Sequence, residues 1–137
     1  MFRDELIIST AGRGTYDLSA KVNALVLQSK IRIGMCHIFI RHTSASLMLC
    51  ENADPDVMRD LEAFMSRLAP DGDPIYAHIA EGPDDMPAHV RSILTQSDLN
   101  LPVQDGACML GAWQGIYLWE HRHAPHERHV VISIVGD

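Results

Sequence analysis

The sequence predicts an α+β domain built on a mostly antiparallel sheet or sandwich, with two or three helices inserted between the strands. Three observations predict it. Segments alternating apolar and polar residues at period two outnumber segments of helical period. The pair Asp105-Gly106, between two apolar runs, is a hairpin signal. The helical stripes fall between strands as insertions, and not in the regular alternation of a doubly wound parallel sheet.

Along the chain, Leu6–Ala11 reads as a first strand, with Gly12 and Gly14 as its turn. Ser19 caps a helix over 20–30 that carries Val22, Leu25 and Val26 on one stripe. Gly34 breaks the chain. Cys36, Ile38 and Ile40 then alternate with His37, Phe39 and Arg41 as a strand that runs on loosely to Leu49. Asp54-Pro55 is the clearest helix start, because the carboxylate accepts free first-turn N–H groups and proline has none there to waste. Val57, Leu61, Met65 and Leu68 give that helix an apolar stripe, and Pro70–Pro74 ends it. A short extended piece over 75–79 carries His78. Asp84, Asp85 and Pro87 open another helix, which packs Val90, Ile93 and Leu94. The rest reads as a β-meander: 99–103 and 107–112 about the Asp-Gly turn, then 116–119 and 129–135 about the loop at Ala124-Pro125-His126.

The length of 137 residues suits one domain over 1–137 that needs no disulfide staples. Eleven Lys+Arg against 18 Asp+Glu, a formal charge of −7, argue against nucleic acid or anionic lipid as the partner. No apolar run approaches the ~20 residues of a membrane helix. MFRDELIIST turns acidic within five residues and lacks a signal-peptide core, so the expected compartment is the cytoplasm, with no membrane partner. Cys36, Cys50 and Cys108 are odd in number and contain no C-x-x-C pair. They imply no disulfide framework, and Cys50 and Cys108 read as buried, inert thiols.

Three polar segments carry the candidate chemistry. His42-Thr43-Ser44-Ala45-Ser46, followed by Glu51-Asn52, brings hydroxyls and an imidazole that can bind phosphate oxygens; a strand edge satisfying its own backbone has the same composition. His78 and His89 enclose Asp84-Asp85, a donor set suited to Zn²⁺ or another first-row metal; the alternative is that the acids only cap a helix. Gly111-Ala112-Trp113-Gln114-Gly115, followed by Glu120-His121, sets Gln114 and Glu120 on strand positions where a buried carboxylate needs a partner. The histidines at 121, 123, 126 and 129 sit across an evident loop, where a solvated loop competes with metal binding.

Read together, these segments resemble the YjbQ-like family, often labelled secondary thiamine-phosphate synthase. The resemblance is carried by His42–Leu47, Glu51–Val57, Glu81–His89 and Trp113–Ile116 before Glu120, four short motifs in order. It departs from the family pattern in having Gly-Ala-Trp-Gln at 111–114 and His121-Arg122-His123 after Glu120. The resemblance implies a homotrimer with a polar pocket for a small anionic substrate. It implies a reaction joining a pyrimidine-methyl pyrophosphate to a thiazole phosphate, with release of pyrophosphate.

Arginine and lysine are scarce in the motif segments, with only Arg41 and Arg91 beside them, so a divalent metal (Zn or Mg) has to balance the phosphates. The expected metal ligands are His78 and His89, with His42 as a third. Asp85, His89 and Glu120 are the expected catalytic groups. His42, Thr43, Ser44, Ser46, Glu51, Asn52, Asp84 and Gln114 are expected to bind substrate. A metal-dependent hydrolase of a small phosphorylated metabolite and a non-enzymatic anion- or metal-binding trimer fit the same residues.

Overall fold

Eight strands and three helices follow one another in the computed structural model, which describes residues 1–137. They are β1 (Phe2–Ser9), β2 (Gly14–Asp17), α1 (Ser19–Ser29), β3 (Ile33–Ile40), β4 (Ala45–Glu51), α2 (Pro55–Leu68), α3 (Asp85–Leu94), β5 (Asp98–Gln104), β6 (Ala107–Cys108), β7 (Gln114–Glu120) and β8 (Glu127–Gly136). The strands form a five-stranded sheet in the order β1-β8-β3-β5-β6 and a three-stranded sheet in the order β2-β7-β4. All pairings are antiparallel. The expected α+β class holds.

The core lies between the two sheets. Cys36, Ile38 and Ile40 from β3, Leu99, Leu101 and Val103 from β5, and Val130, Ile132 and Ile134 from β8 form its floor. Alternate residues of one strand face one side, so the period-two pattern is what builds this layer. Leu47 from β4 and Ile116 and Leu118 from β7 close it from above, and Val22, Leu25 and Val26 of α1 fill one end. Outside the three-stranded sheet, α2 and α3 pack through polar groups. Trp119 Nε1 donates to Glu62 Oε2 at 2.9 Å, and Arg91 Nη1 donates to Glu62 Oε1 at 2.6 Å.

Several sequence expectations are corrected. Gly34 lies inside β3 opposite Gly136 of β8, where an added Cβ would sit 2.0 Å from Val135 O. The glycine permits close strand approach and does not break the chain. The run from Arg41 to Leu49 is not one strand, since β3 and β4 belong to different sheets. Residues 75–79 form no strand: they run irregularly from a turn at Pro74-Ile75 to another at Ala80-Glu81. Likewise β7 and β8 do not pair as a meander: residues 121–126 carry the chain from one sheet to the other, and β8 inserts between β1 and β3. Ser19 is the first helical residue, not the cap, and its Oγ accepts the Ile116 N–H at 2.9 Å.

The hairpin of β5 and β6 does turn on Asp105 and Gly106, both at positive φ (53° and 79°), as a tight hairpin turn requires. Asp54 does cap α2, accepting the Asp56 N–H at 2.9 Å. Of the α2 stripe only Met65 is buried. On α3, Ile93 and Leu94 are exposed, while Asp85, Pro87, Ala88 and Arg91 face inward.

Candidate metal centre

Asp85 and His89 stand one turn apart on α3, a spacing that puts both side chains on one face. The loop preceding α3 brings His78 to the same point. His78 Nε2 lies 2.7 Å and His89 Nε2 3.1 Å from Asp85 Oδ2, and the three donor atoms all fall within 4.8 Å of one another. Burial alone would raise the Asp85 pKa. Contacts from His78, His89 and Arg122 outweigh burial and hold its carboxyl below the usual range, so it is ionised at neutral pH.

The protonation of His89 follows from its other nitrogen. Nδ1 lies 3.0 Å from the carbonyl oxygen of Thr43, which can only accept, so Nδ1 carries the proton. In the neutral ring, Nε2 then presents a lone pair to an ionised carboxylate oxygen. That contact is favourable only with a cation, a second proton or a metal ion, in the cluster. A backbone carbonyl fixing Nδ1–H is also the usual outer contact of a metal-ligating histidine.

The acids do not cap the helix. Asp84 makes no side-chain cap hydrogen bond; its Oδ2 accepts instead from Arg122 Nε at 3.0 Å and from the His123 N–H at 2.8 Å. Arg122 also donates from Nη1 to Asp85 Oδ1 at 2.8 Å and from Nη2 to Glu81 O at 2.9 Å. Thus one guanidinium fixes both acids and turns Asp85 Oδ2 toward the imidazoles. Arg122 is in turn anchored by its own N–H, which donates to Glu120 Oε2 at 3.2 Å.

Glu120 is fully buried and reaches no cavity. Arg128 grips it through Nε, at 2.8 Å, and Nη2, and Thr10 Oγ1 donates to it at 2.6 Å. Burial pushes its pKa up, but these contacts hold it below the usual range. It is a structural anion rather than the expected catalytic group.

The cluster opens on a cavity of about 590 Å³ lined by His42, Thr43, Ala45, His78, Met86, His89, Ser92, Ile93, Thr95 and Ser97. The third atom of the cluster is Asp85 Oδ2 and not a nitrogen of His42. The His129 N–H donates to His42 Nε2 at 2.8 Å, which leaves the neutral ring's proton on Nδ1. Burial first, then the charges of Arg128 and His129, lower the His42 pKa. With one nitrogen accepting and the other protonated, His42 has no lone pair for a metal but does have a donor for an anion.

Other expected site residues lie elsewhere. Ser44 is buried, its Oγ accepting from Arg128 Nη2 at 3.0 Å; Ser46 Oγ lies 2.8 Å from Nε2 of the buried His121. Gln114 and Glu51 pair at the opposite end of the β4–β7 ladder from Ala45 and Glu120. Six residues of strand separate the two ends, about 20 Å at ~3.3 Å per residue. There Gln114 Oε1 accepts the Gly111 N–H at 2.8 Å, Glu51 Oε2 accepts the Asp54 N–H at 3.1 Å and Asn52 Nδ2 donates to Ala112 O at 3.3 Å. These are turn-forming contacts, so the motif segments do not all meet in one cavity of one chain.

The loop histidines do not gather either: His123 pairs with Asp71, and His129 with Glu5. Arg122, Arg128 and Thr10 were missed by the sequence reading. The only signal for Arg122 is the adjacent pair of acids at 84–85, which demands a counter-charge once buried.

A family model described as UPF0047 protein YjbQ-like matches residues 4–137. The chain belongs to this family. A UPF0047 protein from Synechocystis sp. is 46% identical over 132 residues, 96% of this chain and 90% of that protein. UPF0047 protein YjbQ of Escherichia coli O157:H7 is 39% identical over 137 residues, 99% of each. Among solved structures, a YbjQ-like protein of unknown function from Sulfolobus solfataricus superposes with a TM-score of 0.90 at 26% identity, covering 99% of this chain and 97% of that one. A conserved hypothetical protein from Thermus thermophilus gives 0.87 at 32% identity, covering 96% and 99%. The YjbQ-like resemblance carried by the four motifs therefore holds over nearly the whole chain.

Proposed function

We propose that the protein is a metal-dependent enzyme acting on a small phosphorylated metabolite, with His78, Asp85 and His89 as the metal ligands. One observation carries this reading: His89 Nδ1 is committed to Thr43 O while its Nε2 faces ionised Asp85 Oδ2 at 3.1 Å. Two imidazoles and one carboxylate leave open positions, as in catalytic rather than structural sites. They favour zinc or another first-row ion over magnesium, which prefers oxygen ligands. A divalent ion held there supplies Lewis acidity toward a phosphoryl oxygen and the positive charge that the cavity wall lacks.

The chain's own groups orient the substrate. His42 Nδ1–H makes no hydrogen bond within the chain and is free to donate to a phosphate oxygen, as is the Thr43 hydroxyl. No Arg or Lys lines the cavity, so a single phosphoryl group matches a single cation. Hydrolysis makes that demand. Thiamine-phosphate synthesis brings a pyrophosphate and a second phosphate together, and draws as well on Arg41, which shares a neighbouring cleft with His42 and His129. Product analysis separates the two reactions, since only hydrolysis proceeds from one phosphorylated compound and water.

Zinc calorimetry on the purified chain tests the centre. One ion per chain is expected, and it is lost in His89→Ala and Asp85→Asn variants that keep their fold. Absence of zinc binding by the folded protein refutes the proposal.

A further inference from the structure

Two of the three cluster residues are aimed by groups outside the cluster. His89 is fixed through Nδ1–H, which donates to Thr43 O at 3.0 Å. Thr43 stands in the bend between β3 and β4, outside either ladder. Its carbonyl belongs to the planar peptide unit that ends at the Ser44 nitrogen, so its direction follows from how Ser44 is held. Ser44 is buried and held twice. Its carbonyl accepts the His121 N–H at 3.3 Å and Arg128 Nη2 at 3.2 Å, and its Oγ accepts Arg128 Nη2 at 3.0 Å.

Asp85 is fixed from the other side. Arg122 Nη1 donates to its Oδ1 at 2.8 Å, and the Arg122 N–H donates to Glu120 Oε2 at 3.2 Å. Glu120 in turn is gripped by Arg128 through Nε and Nη2. The supports of His89 and of Asp85 therefore end on the same guanidinium.

Arg128 suits that place. It lies near the start of β8, paired with Ile8 of β1, so the larger sheet fixes its backbone. Its side chain is 4% exposed and that of Glu120 is 0% exposed. Neutralising Glu120 requires only a positive charge. The planar fork of donors does more: it sets Glu120 and the Ser44 main chain at fixed directions from one another.

The structure assigns Arg128 the part of a positioning residue for the metal centre: one guanidinium sets the relative aim of His89, through Ser44 and Thr43, and of Asp85, through Glu120 and Arg122. It touches neither metal nor substrate. This role rests on the metal reading above.

Zinc calorimetry on the full chain tests it with Arg128→Lys, which keeps a positive charge beside Glu120 but has a shorter stem and no planar fork. Zinc affinity is expected to fall about tenfold or more, the usual loss when the groups that orient metal ligands are removed. The visible spectrum of the cobalt-loaded chain, which follows ligand geometry, should change with it. Val103→Ala is the control for mere loss of stability. It hollows the core at the end of β5 remote from the cavity, and should leave zinc affinity and cobalt spectrum unchanged. Should Arg128→Lys fail to fold, the Glu120→Gln/Arg128→Met pair removes the contacts without stranding a buried charge, and the same loss is expected.

The unmodified chain supplies a readout free of any variant. Binding linkage is reciprocal, so saturating zinc should slow hydrogen exchange at Arg128 Nε–H about tenfold, and more than at the β5 amides. Zinc affinity within about twofold of the native value in the folded variants, or exchange at Arg128 unmoved by zinc, overturns the positioning role alone. Failure of the native chain to bind zinc overturns the metal reading and this role with it.

Discussion

Acidification should weaken this fold well before its carboxylates titrate, and His121 is the reason. The residue is fully buried, with Nε2 against Ser46 Oγ at 2.8 Å, the Trp119 ring at a centroid distance of 5.1 Å and Nδ1 without any partner. Burial above all, then the positive charges of Arg91, Arg13 and Arg128, push its pKa down to about 3. In the unfolded chain the ring titrates near 6.5. The native state therefore refuses a proton that the unfolded state accepts, and stability falls as pH drops from the unfolded value toward the folded one. Integrated from about pH 7.5 to about pH 4.5, this one group removes roughly 3 kcal/mol. His42, also lowered, adds in the same direction. The lowered carboxylates Asp84, Asp85 and Glu120 act in a more acidic window, because their stabilisation is present above the unfolded carboxylate pKa and is lost as pH falls through the folded one. The assay is urea unfolding across this range for the native chain and for the Ser46→Ala/His121→Leu double variant, which removes both polar partners together. The double variant should lose roughly 3 kcal/mol less over the interval. An identical pH slope in the two proteins refutes the argument.

Other outcomes are expected. Arg122→Ala leaves Asp84 and Asp85 without their guanidinium and should lower unfolding free energy by about 3 kcal/mol. Added zinc should restore part of that loss by replacing the counter-charge, and denaturation with and without zinc checks both statements. Gly34→Ala drives a methyl group toward Val135 O and should cost about 3 kcal/mol as β3 and β8 separate, visible as a lower thermal midpoint. The outer face of the five-stranded sheet exposes Ile7, Met35, Phe39 and Val135. A second copy is expected to cover it in a homotrimer, so light scattering should give three times the 15.2 kDa chain mass, and a monomer mass refutes this.

How much was legible in the sequence depended on whether the governing contact was local. Cys36, Ile38 and Ile40 announced β3 because alternation is a property of adjacent residues. Asp54-Pro55 announced α2 because capping is too. Asp84, Asp85 and Pro87 announced the start of α3 for the same reason, whereas the approach of His78 to Asp85 and His89 depends on the path of the loop before it. The pairing of β8 was invisible, because proximity in sequence favours a β7–β8 hairpin, whereas the partners actually chosen, β1 and β3, lie in the first third of the chain. The buried face of α3 was misread because its inward positions hold Asp85 and Arg91, and hydropathy cannot distinguish a neutralised charge from a solvated one. Arg122 was hidden in a histidine-rich loop for the same reason. Gln114, Glu51 and Asn52 formed a real cluster, but its business is shaping turns at the other end of the ladder.

The position of β8 also bears on how the chain acquires its shape during synthesis. Phe2 pairs with Ile134, so the first of these strands to leave the ribosome waits for the last before either can hydrogen-bond in place. Until then β1 has no strand to pair with, and the edge of β3 that β8 will occupy stays unpaired. Nascent YjbQ-like chains are thus exposed to mispairing while everything between these strands is made, and the larger sheet closes only after every other strand has emerged.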